Sequence, residues 1–214
     1  MRIGLLGGTF NPLHFGHLYI AEEVAKYCGL AQVWFIPTCH PPHKQINDKI
    51  TFAQRLAMVD AALRDYPQFL SSDIEGQRGG ASYSVETLEQ LTAEYPQHEF
   101  FFIMGFDSFQ EIELWKNYAR LFELAHIVVT ARPGFSGSLQ ERLPVAIKDR
   151  FCYDSDSKNL RFDRGFSLIK VAHTCRDISS TEIRQQLSMN RDVREQVPPP
   201  VLEYIRAHDL YSKT

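Results

Sequence analysis

The order of a short apolar run, a glycine turn and a helical pattern at the start of the chain constrains its fold most strongly. The apolar residues 3–6 are typical of a buried strand, and they lead directly into Gly7-Gly8. From Leu18 onward, apolar residues recur at the spacing of an amphipathic helix. A strand that turns at once into a helix is the opening unit of an α/β fold.

Strand-like and helical segments alternate along most of the 214 residues. The predicted strands are 2–6, 32–36, 69–72, 99–104, 127–131 and 167–172. The predicted helices are 16–28, 51–66, 84–94, 106–112, 118–123 and 179–189, with a last amphipathic helix beginning at Pro198-Pro199-Pro200. We therefore predict a Rossmann-like parallel sheet with helices on both faces, in which ligands bind at the carboxyl ends of the strands.

The chain length suits a single domain over residues 1–214 with a C-terminal helical part at 179–214. Two segments interrupt the alternation. Residues 38–47 are rich in Pro and His and follow a strand, which favours a binding loop. Residues 136–165 are weakly patterned, and we interpret them as an insertion on the domain.

The composition excludes several classes of protein. A hydrophobic content of 44% and a charged content of 23% are ordinary for a globular protein, and the net charge of −3 argues against broad nucleic-acid binding. No run approaches the roughly 18 apolar residues of a membrane span, and no signal-peptide pattern is present. The four cysteines form no Cys-x-x-Cys pair. We expect a cytoplasmic protein without nucleic-acid or membrane partners, and a homo-oligomer stays open.

Two histidines lie three residues apart at the start of the first predicted helix, directly after the glycine turn. A helix N-terminus favours phosphate because its N–H groups are unpaired and carry partial positive charge. His14 and His17 add donors for the same anion, and Gly7 and Gly8 let the backbone approach it. Thr9 and Asn11 can offer polar contacts from the loop. This pattern predicts a polyphosphate site suited to phosphoryl or nucleotidyl transfer. The alternative is that both histidines are surface or capping residues of an ordinary helix.

A second polar motif, Ser179-Ser180-Thr181, lies near the end of the chain and is followed by Glu182 and Arg184. Ser and Thr are favoured helix N-caps, and an acid near the cap is typical of a capping box. The arginine follows about one turn later, near enough to reach a phosphate at that helix N-terminus. The alternative is a plain capped helix with a solvated arginine.

Together these motifs resemble the two signatures of the HxGH nucleotidylyltransferase superfamily. They are Gly7-Gly8-Thr9-Phe10-Asn11-Pro12 with His14-Phe15-Gly16-His17, and Ile178-Ser179-Ser180-Thr181 with Arg184. Within the superfamily, the chain resembles the bacterial nicotinate-mononucleotide adenylyltransferases over nearly its whole length. Shorter matches agree with this family: Pro41-Pro42-His43-Lys44, Ser82-Tyr83-Ser84, Gly105-Phe106-Asp107, Trp115 and Ala131-Arg132-Pro133-Gly134.

The resemblance implies adenylyl transfer from ATP to nicotinate mononucleotide, which yields nicotinate adenine dinucleotide and pyrophosphate for NAD biosynthesis. It implies catalytic roles on the phosphates for His14, His17 and Arg184. The further ATP-binding residues that it implies are Gly7, Gly8, Thr9, Phe10, Gly105, Asp107, Ile178, Ser179 and Ser180. Considered singly, Asp107 also fits a helix cap. The implied cofactor is Mg²⁺, bound mainly through the ATP phosphates and not by protein ligands.

The resemblance assigns the second substrate to five further residues. Trp115 is expected to stack on the pyridine ring, while Tyr83 and Ser84 hold the nicotinate end. Lys44 is expected to reach toward phosphate, and Arg132 to lie beside the nucleotide. Considered singly, Trp115 also fits a core position, and both Lys44 and Arg132 fit solvated surface charges.

The chain departs from the family pattern at two positions. Asn11 stands where Asp is more frequent, so the hydrogen-bonding shape is kept and the charge is lost. We expect little effect, although a metal-binding or capping role of that carboxylate is put in doubt. Ser84 stands where Thr is usual and keeps the hydroxyl group. The segment 136–165 has no family signature.

Three other functions stay open. The first is another enzyme of the superfamily, such as a pantetheine-phosphate adenylyltransferase or a cytidylyltransferase; the former are shorter chains that lack the Pro-Pro-His-Lys loop. The second is a metal-binding module formed by Cys39, His40 and His43 beside His14 and His17, although their spacing matches no structural zinc pattern. The third is a nucleotide-binding regulator without activity.

Overall fold

The computed structural model describes residues 1–41, 50–131, 138–172 and 178–212. The candidate binding residues Lys44 and Arg132 lie outside these ranges, as do most of the predicted Pro/His loop and the residues 173–177.

The described residues form one eight-stranded sheet. Its strands are β1 (Arg2–Gly8), β2 (Gln32–Pro37), β3 (Phe69–Ser71), β4 (Glu99–Gly105), β5 (His126–Ala131), β6 (Phe151–Asp154), β7 (Asn159–Phe162) and β8 (Ser167–Ala172). Their order is β3-β2-β1-β4-β5-β8-β7-β6. The pairs β2–β3, β1–β4, β4–β5 and β5–β8 are parallel, whereas β6–β7 and β7–β8 are antiparallel. The predicted α/β class is confirmed, and each of the six predicted strands is present.

Helices connect most of these strands. They are α1 (Phe15–Cys28), α2 (Phe52–Leu63), α3 (Ile74–Arg78), α4 (Ser84–Glu94), α5 (Phe106–Gln110), α6 (Tyr118–Leu121), α7 (Val145–Lys148), α8 (Ser180–Ser188) and α9 (Pro199–Ala207). Short 3₁₀ turns cover Ile112–Leu114 and Gln140–Arg142. Among the described helices, none has both the length and the apolar character needed to cross a membrane.

The chain divides into two compact units. The first, which we call the signature unit, comprises Gly7–Glu22, Gln32–Ser82 and Cys175–Thr214. The second, which we call the hairpin unit, comprises Met1–Leu6, Glu23–Ala31 and Tyr83–Thr174.

The core of the hairpin unit is built on apolar parallel strands. Residues 100–104 of β4 are all buried, as are residues 127–131 of β5. Near-continuous apolar runs of this kind are typical of parallel strands that are covered on both faces. Such strands present their carboxyl ends, Gly105 and Ala131, at the same edge of the sheet.

A β-hairpin within 136–165 was missing from the predicted elements. Strands β6 and β7 pair antiparallel, and β7 continues onto β8 with Leu160 opposite Leu168. The Phe151 and Phe162 rings pack with centroids 4.9 Å apart, and the Arg150 guanidinium lies 4.2 Å above the Phe162 ring. This segment therefore extends the sheet of the hairpin unit through regular strand pairing.

The signature unit is organised around α2, which packs against α9, β2 and β3. A capping box begins α2: the Gln54 N–H donates to the Thr51 hydroxyl, and the Gln54 side-chain oxygen accepts from the Thr51 N–H. Met58 and Val59 on this helix are fully buried. The buried face of α2 is therefore part of the hydrophobic core of the signature unit.

Candidate active site

The turn after β1 contains two glycines with different surroundings. A Cβ atom added at Gly7 would meet no atom within 4 Å, whereas one added at Gly8 would lie 3.1 Å from the Phe10 ring. A side chain at Gly8 would therefore press on the buried Phe10 ring. Gly7 is exposed and leaves the backbone open to approach, as the sequence predicts for a phosphate turn.

Phe10 closes this turn from the inside. Its backbone φ is 47°, which is uncommon for a bulky residue, and its side chain is buried. The ring packs edge-on against His17, with centroids 5.0 Å apart and an interplanar angle of 80°. The buried Phe10 ring therefore packs against the edge or face of the His17 imidazole and restricts its position. The neighbouring Thr9 is half-buried.

The two signature histidines form a stacked pair. Their ring centroids lie 3.7 Å apart at an interplanar angle of 26°. The His14 main-chain N–H donates to the Nδ1 atom of His17 over 3.3 Å, so the ring proton of a neutral His17 resides on Nε2. A Cβ added at Gly16 would lie 2.9 Å from the His14 Nδ1 atom, and so glycine at this position leaves room for the His14 ring.

Burial decides the charge state of this pair. It lowers the pKa of His14 to about 4 and the pKa of His17 well below 6.5, to which His14 also contributes. Both imidazoles are therefore neutral at pH 7, so that each ring carries a single N–H group. A surface position is excluded for His14, which is only 5% exposed and whose Nδ1 atom finds no hydrogen-bond partner among the described residues. The His17 ring does cap α1, because its Nδ1 atom accepts the N–H of His14, the residue before that helix.

The second signature motif packs directly against the first. The Arg184 guanidinium donates to the Asn11 carbonyl over 2.8 Å, and the Ser180 hydroxyl donates to the Pro12 carbonyl over 3.1 Å. A second guanidinium nitrogen donates to the Thr181 hydroxyl over 3.1 Å. Asn11 and Arg184 are 173 residues apart in the chain, so these hydrogen bonds make the two motifs adjacent in the fold.

The start of α8 differs from the expected capped helix. Ser179 occupies the N-cap position with extended backbone, but its side chain makes no capping hydrogen bond. Of the three possible caps Ser179, Ser180 and Thr181, Ser179 is thus the N-cap by position, but without the capping hydrogen bond. Because Ser180 bonds to the first motif instead, the helix start serves to join the two motifs. Ile178 and Ser179 are half-buried at this position.

Asn11 and Tyr211 form a contact that the sequence analysis missed. The Tyr211 hydroxyl donates to the Asn11 Oδ1 atom over 2.5 Å, and burial raises the pKa of the phenol. Asn11 is itself only 6% exposed. Residue 11 therefore receives hydrogen bonds on both its side chain and its main chain. The sequence marked Asn11 both as a polar contact of the turn and as a departure from the family pattern, but nothing in it pointed to Tyr211.

Arg55 is a second buried polar residue near the first motif that the sequence analysis did not predict. It is 1% exposed, and its guanidinium donates to the Thr9 carbonyl over 2.8 Å and to the Cys39 carbonyl over 3.4 Å. Burial lowers its pKa. The sequence did contain a signal for the burial of Arg55. It lies three and four residues before Met58 and Val59, and this helical spacing places it on the same buried face of α2.

The hairpin unit places Gly105 and Asp107 at the carboxyl end of β4. Gly105 is the N-cap of α5, and Asp107 lies exposed in the first turn. The helix-cap alternative for Asp107 is therefore excluded. A Cβ added at Gly105 would meet no atom within 4 Å, so the protein's own packing does not require glycine there.

Trp115, Tyr83 and Ser84 also belong to the hairpin unit. Trp115 is half-buried and meets the Phe102 ring edge-on at 6.3 Å, so it does not occupy the core position that its residue type alone would suggest. Tyr83 is the N-cap of α4 and Ser84 its first residue. The Lys116 ammonium lies 4.4 Å above the Tyr83 ring and 2.6 Å from the Glu86 carboxylate.

The metal-binding alternative gains no support from the described part of the chain. Within it, no group of three or more His, Cys, Asp or Glu side chains is arranged to hold a metal ion. His43, one of the candidate ligands, lies outside the described residues.

Comparisons with known proteins agree on one family. The model of the cytidylyltransferase-like family matches residues 5–186. A probable nicotinate-nucleotide adenylyltransferase from Syntrophotalea carbinolica is 49% identical over 99% of this chain and 97% of its own length. The protein of that description from Geotalea daltonii is 49% identical over 99% of both chains. Plasmodium falciparum nicotinic acid mononucleotide adenylyltransferase complexed with NaAD shares the fold, with a TM-score of 0.72 and 16% identity over 98% of this chain and 97% of that one.

Proposed function

Because the chain belongs to the cytidylyltransferase-like family and to the nicotinate-nucleotide adenylyltransferases, we propose that it transfers the adenylyl group of ATP to nicotinate mononucleotide. The products are nicotinate adenine dinucleotide and pyrophosphate, in a step of NAD biosynthesis. The observation that carries the proposal is that the neutral, stacked pair of His14 and His17 belongs to the same motif whose Asn11 carbonyl binds the Arg184 guanidinium.

The proposed reaction is a direct in-line displacement. A phosphate oxygen of nicotinate mononucleotide attacks the α-phosphorus of ATP, and the bond from that phosphorus to the oxygen bridging to the β-phosphate breaks. The electron pair leaves with pyrophosphate. Such a transfer asks the protein for alignment and charge stabilisation and needs no covalent intermediate.

The histidines fit the role of donors to the phosphates. The Nε2–H of His17 is free to donate because Nδ1 already accepts from the His14 main chain. A fixed donor in a buried site stabilises charge that builds during transfer more than it stabilises the ground state. We assign His14 and His17 to the transferring phosphate, together with the turn formed by Gly7, Gly8 and Thr9.

Arg184 fits the departing pyrophosphate. It is the charged member of the second motif, and its hydrogen bonds to Asn11 and Thr181 fix the guanidinium at the first motif. A positive charge at this place offsets the charge that accumulates on the leaving group. We assign Ile178, Ser179 and Ser180 to the same phosphates, and Phe10 to the support of His17.

The hairpin unit carries the proposed nucleoside and pyridine contacts. Asp107 is exposed and ionisable at a strand end, which suits a ribose hydroxyl. Trp115 has an exposed portion of ring available for stacking on a flat heterocycle. We assign Gly105 and Asp107 to adenosine, Trp115, Tyr83 and Ser84 to the nicotinate end, Lys44 to phosphate and Arg132 to the nucleotide.

Mg²⁺ fits this site as an ion carried by the ATP phosphates. Magnesium keeps several waters and often takes only one or two protein ligands, and the described residues hold no acidic cluster that would cage it. When bound, it neutralises charge on the phosphates. We propose the cytoplasm as the setting, where free thiols such as those of Cys28 and Cys152 persist.

The test is a product assay on the purified chain. With ATP, Mg²⁺ and nicotinate mononucleotide, we expect nicotinate adenine dinucleotide and pyrophosphate in equal amounts by chromatography. Parallel reactions replace the acceptor by nicotinamide mononucleotide or pantetheine phosphate, and ATP by CTP. A product from pantetheine phosphate or CTP without any from nicotinate mononucleotide and ATP would overturn the proposal.

A further inference from the structure

Arg55 on α2 is buried to a degree that is rare for a charged side chain. It is 1% exposed, and it is the largest of the fully buried side chains among the described residues. A guanidinium removed from water loses hydration that only good hydrogen bonds or charges can replace. Its Nε atom has no hydrogen-bond partner among the described residues, so the burial is incompletely compensated there.

The hydrogen-bond acceptors of the Arg55 side chain belong to the segments that follow β1 and β2, while the Phe52 ring of its own helix lies 5.5 Å from the guanidinium carbon. One terminal nitrogen donates to the Thr9 carbonyl, and the other to the Cys39 carbonyl. A main-chain bond from Thr38 to the Gly8 carbonyl, 2.8 Å long, joins the same two segments. The planar guanidinium thus fixes the spacing of two main-chain oxygens, which a lysine ammonium cannot do with the same geometry.

The Thr9 carbonyl is coupled to the catalytic histidine through the next residue. It belongs to the peptide group that links Thr9 to Phe10, and the Phe10 ring packs edge-on against His17. Phe10 also holds the uncommon positive φ of this turn and fills the space beside Gly8. A shift of the carbonyl would therefore move the surface on which the His17 ring rests.

We propose that Arg55 is a positioning residue for the transfer step, acting through Thr9 and Phe10 on the orientation of the His17 ring. This inference rests on the proposed function. Its physical basis is that a catalytic donor displaced by about 1 Å costs on the order of 10²-fold in rate. Arg55 itself touches main-chain oxygens of the turn and is assigned no contact with substrate.

The first experiment separates positioning from simple stabilisation. Arg55→Lys keeps the positive charge but loses the planar guanidinium with its two parallel donors. Arg55→Met keeps only the aliphatic part of the side chain. We expect kcat for dinucleotide formation to fall ~10-fold in Arg55→Lys and ~10²-fold in Arg55→Met, with KM for nicotinate mononucleotide changed less than about twofold. The control is Val59→Ala on the same helix, which is equally buried and is expected to lose stability while keeping kcat.

The second experiment tests the route through His17. In a His17→Ala background, Arg55→Lys should lower kcat by less than about twofold, because the group that Arg55 positions is gone. If Arg55→Met does not fold, Arg55→Lys alone carries both measurements. Folded Arg55 variants with wild-type kcat, or fully additive effects with His17→Ala, would overturn the inference. An inactive wild-type enzyme would instead contradict the proposed function.

Discussion

The two sets of candidate residues are held in opposite ways. In the signature unit, His14, Asn11 and Phe10 are buried; the rings of His14 and Phe10 pack against His17, and Asn11 accepts a hydrogen bond from the distant Tyr211. In the hairpin unit, Asp107 is exposed and Trp115 half-buried with one edge-on ring contact.

This difference follows from what each set is proposed to do. Stabilising charge on a transferring phosphate requires donors that are already oriented, since reorientation during the reaction would cost the energy that catalysis needs. Holding a flat ring requires an accessible aromatic face, and stacking tolerates small changes in position. We therefore expect substitutions in the signature unit to act on kcat or stability, and those in the hairpin unit to act on KM.

The largest effect is expected for His17→Ala. It removes the Nε2–H donor, and the loss of one transition-state donor lowers kcat by on the order of 10²- to 10³-fold. Steady-state kinetics with saturating ATP and nicotinate mononucleotide measure it. His208→Ala is the matched control, because His208 is an exposed histidine of the same unit with no assigned role. A near-normal kcat in folded His17→Ala would contradict the assignment.

The next effect concerns stability and pH through His14. Its pKa is about 4 in the folded chain and near 6.5 when unfolded, so the unfolded chain binds more protons between these values. The contribution of His14 to folding stability is therefore nearly constant above about pH 7 and falls by about 3 kcal/mol as the pH drops to 4, and His17 contributes in the same direction. Urea denaturation at several pH values measures the slope.

The matched variant for this slope is His14→Gln, which keeps a polar side chain and has nothing to titrate. Its free energy of unfolding should fall less steeply than that of the wild type between pH 6.5 and 4. Equal slopes for the two proteins would contradict the assignment, because they would show that titration of the buried His14 does not cause the loss of stability at low pH.

Sequence reasoning predicted the elements that have strong local patterns. The six parallel-sheet strands and the two signature motifs were identified, because apolar runs, Gly7-Gly8 and the histidine spacing are local features. The antiparallel hairpin was missed because β6 is partly exposed and its pattern is weak. Its turn did offer a signal, since Asp154 accepts N–H groups from Asp156 and Ser157 in a polar Asp/Ser run.

The parts of the site that could not be predicted depend on contacts between distant residues. Tyr211 meets Asn11 across 200 positions, and Arg55 meets Thr9 across 46. No local pattern encodes which buried polar groups pair in this way. The neutral state of His14 could not be predicted from a local pattern either, since it depends on burial of the ring by the folded protein.

A smaller effect is expected in the hairpin unit for Trp115→Ala. Loss of one stacking surface, worth about 1.4 kcal/mol, should raise KM for nicotinate mononucleotide ~10-fold. The value of kcat should change less than about twofold, since no catalytic donor is removed. Trp115→Phe keeps an aromatic face and should restore most of the affinity. A drop in kcat comparable to that of His17→Ala would contradict the expectation that substitutions in the hairpin unit act on KM.

The smallest effect is expected for Tyr211→Phe, which removes the hydroxyl donor to the Asn11 Oδ1 atom and keeps the buried ring. A single buried hydrogen bond contributes about 1 kcal/mol to stability, and this loss should appear in the midpoint of urea denaturation. The value of kcat should fall less than about threefold, because Arg184 still holds the Asn11 carbonyl. Tyr27→Phe is the control, since Tyr27 is 59% exposed and its change should be neutral. A much larger loss of kcat in Tyr211→Phe would mean that the side chain of residue 11, and not only its main chain, sets the geometry of the phosphate turn.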